Sequence, residues 1–218
     1  MNKKKGGSTQ ALKEDVRGRI QRLWALPPSP RRAELAKLRR GIGRQPGDLP
    51  ELWGAFLQGM PESFKGGGNG PSHEEWAVYL ALTMYALHQQ SNETTCVDQP
   101  GWTLGRAVRR LAEQQARASG QDWTESSVLR RFNALATAEE ITEISHHLRG
   151  MIQLLRAAKE ENGCIPLDYA QLAADLHGLQ CTDPRFAQVS ANVRLRWGQD
   201  LYRTENPESS DDTQEKEN

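Results

Sequence analysis

The chain has 218 residues, 28 Lys or Arg against 28 Asp or Glu, a formal net charge of zero and an apolar share of 37%. That length supports one core of moderate size. Its longest apolar stretch, Trp76 to Leu87, is far short of the ~20 residues a membrane-spanning helix requires, and the basic start MNKKKGGSTQ leads into Lys13, Glu14 and Asp15 rather than the apolar segment of a signal peptide. Three widely spaced cysteines, Cys96, Cys164 and Cys181, suit reduced thiols in a cytoplasm better than a disulfide framework.

Residues 1–10 lack the apolar side chains that offset ordering entropy and are expected to be a disordered basic tail. Leu12, Val16, Ile20 and Leu23 then recur at helical spacing, and Pro27, Pro28 and Pro30 stop that helix. A second helix is expected from near Arg31. Leu35, Leu38 and Ile42 share one face of it, with Arg32, Arg39, Arg40 and Arg44 on the other. Gly41 and Gly43 are expected to fray its end and leave Arg40 and Arg44 beside a mobile turn. From Ala11 to Arg44 there are ten basic residues against three acidic ones.

The spacing predicts a further helix over Leu52 to Met60, then a flexible Gly-rich loop over Lys65 to Pro71. Ser72 and Glu75 have the spacing of a capping box and open the apolar run EEWAVYLALTMYALH, the candidate for the most buried helix. After a loop over Ser91 to Gly101, the segment WTLGRAVRRLAEQQARA carries Leu104, Ala107, Val108, Leu111 and Ala112 as an inner stripe, with Arg106, Arg109 and Arg110 facing outward or to the flank.

In SSVLRRFNALAT, Val128, Phe132 and Leu135 share a face, Arg130 points away from it and Arg131 lies at its shoulder. Thr137 and Glu140 predict a capping box for the next helix. Its inner side is Ile141, Ile144, Leu148, Met151, Ile152 and Leu155, and Arg149 and Arg156 share the opposite stripe, with Gly163 and Pro166 as terminators. A short helix is expected from Asp168 to His177. A last one starts at Asp183 and Pro184 and buries Phe186, Val189, Val193, Trp197 and Leu201. No segment alternates as a strand does. The expected fold is therefore all-α, a compact bundle of about seven to nine helices over residues 11–204, with lobes 11–124 and 125–204 as a possible division.

Residues 205–218 hold six acidic residues and one lysine, so the remainder of the chain carries a net charge of plus five. This segment is expected to be a disordered acidic tail. Arginines concentrated on several helices in a neutral chain point to an anionic polymer lying along them. A single charged run would be no more than a solvated helix face.

Catalytic readings are weak. His73, Glu74 and Glu75 open like a zinc-protease motif, but position 77 is Ala where the second histidine belongs. His146 and His147 diverge by about 100° on a helix and cannot chelate one ion together. GGGNGPS lacks the Gly-Lys-Ser/Thr ending of a phosphate loop, and no Cys-x-x-Cys pair occurs. Neither metal nor cofactor is expected. The six tryptophans are expected mainly in the core, although stacking on bases is the functional alternative.

The runs RRAELAKLRRG at 31–41, ALHQQ at 86–90, TLGRAVRRL at 103–111, SVLRRFNAL at 127–135, HLRGMIQLLR at 147–156, DYAQLAADL at 168–176 and RWGQDLY at 196–202 together resemble the CasB family. These are small subunits of the type I-E CRISPR surveillance complex, Cascade. The resemblance covers about residues 12–203. It implies an all-helical, non-enzymatic subunit present as a pair, bound to the backbone and large subunits and helping to hold guide RNA, target DNA and the displaced DNA strand. It also implies a basic surface of Arg39, Arg40, Arg44, Arg109, Arg110, Arg130, Arg131, Arg149, Arg156, Lys159 and Arg194, acting as phosphate clamps. Pairing of Arg131 and Arg149 with acidic neighbours is the structural alternative. At the level of function, the alternatives are a helical adaptor docking on an acidic protein, an unrecognised helical enzyme acting on RNA or DNA, and a helix-turn-helix regulator.

Overall fold

A computed structural model describes residues 3–68, 70–160, 163–181 and 187–203. Among these residues it contains nine α-helices and no sheet: α1 (Lys3–Ala25), α2 (Pro28–Arg40), α3 (Trp53–Phe56), α4 (His73–His88), α5 (Leu104–Ser119), α6 (Ser127–Thr137), α7 (Ile141–Ala157), α8 (Tyr169–Leu179) and α9 (Ala187–Tyr202).

The architecture is organised around α4. Its sequence is apolar on every side, as a helix surrounded by protein must be, and every residue from Ala77 to His88 is buried. Helices α1, α2, α7 and α8 pack around it. The Ser72 hydroxyl accepts from the Glu75 amide at 2.9 Å and the Glu75 carboxylate accepts from the Ser72 amide at 2.7 Å, so the expected capping box satisfies two otherwise unpaired donors.

Helices α5, α6, α7 and α9 form the flanking layer, with α5 laid along α9 and α6 along α7. Gly105 makes the α5–α9 approach possible. A Cβ there would collide with the Trp197 carbonyl and with Cβ of Asp200, which would stand only 2.9 Å away. Helix α8 joins the layers by packing on α1 and α4 as well as α9, so the helices of the two halves of the chain interleave over one continuous core.

Asp168 ties this junction together. Its carboxylate accepts from the Gln171 amide at 2.9 Å as the N-cap of α8 and from the Gly101 amide at 3.0 Å. Beside it, the Tyr169 amide donates to Asp98 at 2.9 Å and the Leu167 amide to the Val97 carbonyl at 3.0 Å.

Several expectations need correction. Helix α1 is assigned from Lys3 onward. The prolines that end α1 also begin α2, because Pro28 takes the first helical position where its missing N–H costs nothing. The helix expected over Leu52 to Met60 reduces to a 3₁₀ turn at Pro50–Leu52 and the single turn of α3, and Gly59 has a left-handed φ of 73°.

The turn after Arg40 is pinned. Tyr79 donates its hydroxyl to the Gly41 carbonyl at 2.9 Å, and a Cβ on Gly41 would stand 2.6 Å from that hydroxyl oxygen. Thr137 does not cap α7. It is the last residue of α6, its hydroxyl bonds back to the Asn133 carbonyl at 2.9 Å, and Glu140 is the N-cap of α7 without a side-chain cap bond. Helix α7 ends at Ala157, ahead of the expected Gly163 and Pro166. The start expected at Asp183 and Pro184, the burial of Phe186 and the acidic tail at 205–218 lie outside the described residues.

Candidate nucleic-acid interface

The arginines fall into two chemical situations. In the first, the guanidinium already has protein partners. Arg110 forks onto Glu160 with bonds of 2.8 and 2.9 Å, which holds that carboxyl below its ordinary range. Arg109 donates to Glu113 at 2.5 Å and lies 3.7 Å over the Trp123 ring. Arg40 reaches both oxygens of Glu51 at 3.1 Å. Arg194 donates to the carbonyls of Ala136 at 2.7 Å and Ala138 at 3.1 Å, closing the C-terminal end of α6, where carbonyls lack helical partners.

In the second situation the cation is exposed and has no hydrogen-bond or ion-pair partner among the described residues. Arg130 and Arg131 on α6, Arg149 on α7 and Arg44 in the turn after α2 belong here, and the Lys159 ammonium is likewise exposed and unpaired. The acidic neighbours considered for Arg131 and Arg149 do not pair with them among the described residues.

One corner brings two predicted residues together. Arg39 donates to the Ala86 carbonyl at 3.2 Å near the end of α4, and Arg156 donates to the Gln90 side chain at 2.6 Å across the same helix end. Burial, and then the Arg156 charge, draw the Arg39 guanidinium below its ordinary range. Arg31 and Arg32 complete this corner: with Arg39, Gln90 and Glu93 they line a cleft of about 190 Å³. Arg31 lies 4.1 Å over the Trp24 ring and donates to the Trp24 and Glu93 carbonyls at 3.1 Å; Arg32 pairs with Glu93 at 3.1 Å. The α5 flank gathers Arg110 and the Lys159–Glu160 turn, where the Gln114 amide donates to the Lys159 carbonyl at 2.6 Å. No described contact links Arg44, Arg131 or Arg149 to either cluster.

Beneath the first corner lies a buried polar chain. His88 Nδ1 stands 2.9 Å from the Tyr169 hydroxyl and Nε2 3.4 Å from the Cys164 sulfur. Burial holds its imidazole down at about 3, so His88 is neutral at physiological pH. Cys96 and Cys164 are free thiols, and burial pushes both up, away from nucleophilic use. His177 meets Glu74 at 3.2 Å, and no group of three or more His, Cys, Asp or Glu fit to hold a metal occurs among the described residues.

Sequence reasoning missed Arg117, exposed at the end of α5 and close enough to act on Glu160. It also missed the exposed Tyr202 at the end of α9. Position in the last helical turn is the only sequence signal either one carries. Among the tryptophans, Trp197 is core, Trp24, Trp76, Trp102 and Trp123 are half-buried, and Trp53 is 47% exposed.

No helix among the described residues is long and apolar enough to cross a membrane. The family model for the CRISPR-associated protein Cse2 matches residues 34–202. Among solved structures, CasB from Thermobifida fusca is 29% identical, with a TM-score of 0.62 over 89% of this chain and 97% of that one. CasB from M. ruber is 22% identical, with a TM-score of 0.58 over 88% and 92%, a likeness of fold. No curated protein matches the sequence.

Proposed function

The chain belongs to the CRISPR-associated Cse2/CasB family, and from that premise we propose that it is a non-catalytic, nucleic-acid-binding small subunit of an RNA-guided surveillance complex of the Cascade type. Its partners are guide RNA, target DNA, the displaced DNA strand, a second copy of itself and the backbone and large subunits, in the cytoplasm. The observation that carries this reading is the set of exposed arginines with no hydrogen-bond or ion-pair partner among the described residues, Arg44, Arg130, Arg131 and Arg149, where other described arginines such as Arg40, Arg109, Arg110 and Arg196 are paired.

Such guanidiniums bind phosphate bidentately and stay charged at every cellular pH. In this role they read no bases. Base pairing supplies sequence, and each backbone contact adds on the order of 1 kcal/mol to a strand exchange that is close to balanced. Arg39 and Arg156 support the reading, since a phosphate placed between two mutually repelling cations relieves both. Arg109, Arg110 and Arg40 contribute to the field, and reach a strand directly only by releasing their carboxylates. Arg194 acts mainly through the fold.

The test is fluorescence anisotropy of labelled single-stranded DNA, duplex DNA and single-stranded RNA across several salt concentrations. Affinity that ignores sequence and falls steeply with salt supports the proposal. Absence of binding at low salt, with binding to an acidic protein partner instead, favours the adaptor reading.

A further inference from the structure

The groove between α6 and α9 has a volume of about 510 Å³ and includes Glu125, Arg130, Asn133, Leu201 and Tyr202 in its lining. Tyr202 is 63% exposed although it is aromatic. Its ring is supported from one side: it meets Trp123 edge-on, with centroids 5.4 Å apart at 63°, and Trp123 in turn carries the Arg109 guanidinium. Arg130 stands at the groove with no hydrogen-bond or ion-pair partner among the described residues, while Arg194, also in the lining, donates to the Ala136 and Ala138 carbonyls at the end of α6.

We propose that this groove receives an unpaired base of a single-stranded nucleic acid, stacked on Tyr202, with Arg130 on the adjoining phosphate and Asn133 and Glu125 facing the base edge. The proposal rests on the backbone-binding reading and adds a preference for single strands, because a base already stacked inside a duplex is not available to the groove. Stacking tolerates any base, since each has a π-face. Asn133 both donates and accepts, and Glu125 accepts from an exocyclic amino group.

The lining argues against other occupants. An apolar helix laid there would bury Arg130 and Glu125 without partners, which is costly. The acidic segment 205–218 matches Arg130 in charge, but its only apolar side chain is that of Pro207, so it has little to cover the Tyr202 ring.

The experiment titrates full-length protein against a labelled single strand, the duplex of the same sequence and an abasic strand of the same length. Tyr202→Ala is expected to weaken single-strand binding roughly fivefold or more, the stacking contribution of a base, and to leave duplex and abasic binding within about twofold. Tyr202→Phe restores single-strand affinity. Asn133→Ala, at an exposed position of α6, weakens the single strand in the same selective way, and Arg130→Ala weakens all three ligands. Equal losses on all three ligands in Tyr202→Ala, or no loss at all, overturn the assignment. Failure of the wild-type protein to bind any strand overturns the backbone-binding reading as well.

Discussion

Arg196 on α9 and Arg130 on α6 belong to helices that face each other across one groove, yet the two side chains do different work. Arg196 reaches the buried Asp175 carboxylate, which also accepts from the Trp197 indole and the Gln171 side-chain Nε2, both at 2.7 Å. Arg130 meets nothing among the described residues. The lesson is that arginine count along the sequence does not measure the binding surface. The measure is which guanidiniums the fold leaves unpaired, and that follows from where the carboxylates and carbonyls fall in three dimensions.

The sharpest way to break this comparison is to remove the structural partner. Asp175→Ala leaves the buried Trp197 N–H without its acceptor and Arg196, itself partly exposed, without its ion pair, and is expected to cost about 1–3 kcal/mol of stability, read by urea denaturation. A loss below about 1 kcal/mol would place Arg196 with the unpaired group.

A second effect comes from His88, beneath the Arg39–Arg156 corner. Its folded pKa of about 3 lies below the ordinary histidine value of 6.5, so the unfolded chain takes up the proton first. Its contribution is fully present above pH 6.5 and is lost as pH falls toward 3, by up to about 1.4 kcal/mol per pH unit. Burial pushes the carboxyls of Asp98 and Asp175 up, which opposes this slope in the acid range. Denaturation at a series of pH values should therefore show a steeper acid loss in the wild type than in His88→Gln, which has no proton to gain. Equal slopes would remove His88 from the account.

The paired surface arginines should matter less. The Arg110–Glu160 fork is 41% and 22% exposed on its two side chains, and a double-mutant cycle is expected to give under about 1 kcal/mol of coupling.

Much of the fold is readable from sequence where the signals are local. The Ser72–Glu75 box, the Asp168 cap, the α4 apolar run and the inner stripe of α5 depend on residues within a few positions of one another. Leu52, Phe56 and Met60 are buried, but the helix expected over this segment did not reveal that Gly59 turns the chain away. Thr137 has the spacing of a cap, and its hydroxyl bonded backward into α6 instead. The exposed faces of α6 and α7 were legible as cationic because their inner faces are so clearly apolar. Which arginines are free was not legible: Arg110 and Glu160 are 50 residues apart, and the carbonyls that hold Arg194 come from Ala136 in α6 and Ala138 just past its end, more than 50 residues away. The groove at Tyr202 was hidden for the same reason, being assembled from α6, α9 and the turn before α6.

The central claim, that the unpaired arginines form the phosphate-binding surface, is tested most directly by the salt dependence of single-stranded DNA binding. The comparison is between wild-type protein and Arg130→Ala/Arg131→Ala/Arg149→Ala. At these exposed positions the triple variant is expected to keep wild-type stability within about 0.5 kcal/mol per site. The slope of log affinity against log salt should flatten by about 2, from roughly 0.7 per lost phosphate contact. An unchanged slope in a folded triple variant would contradict the account.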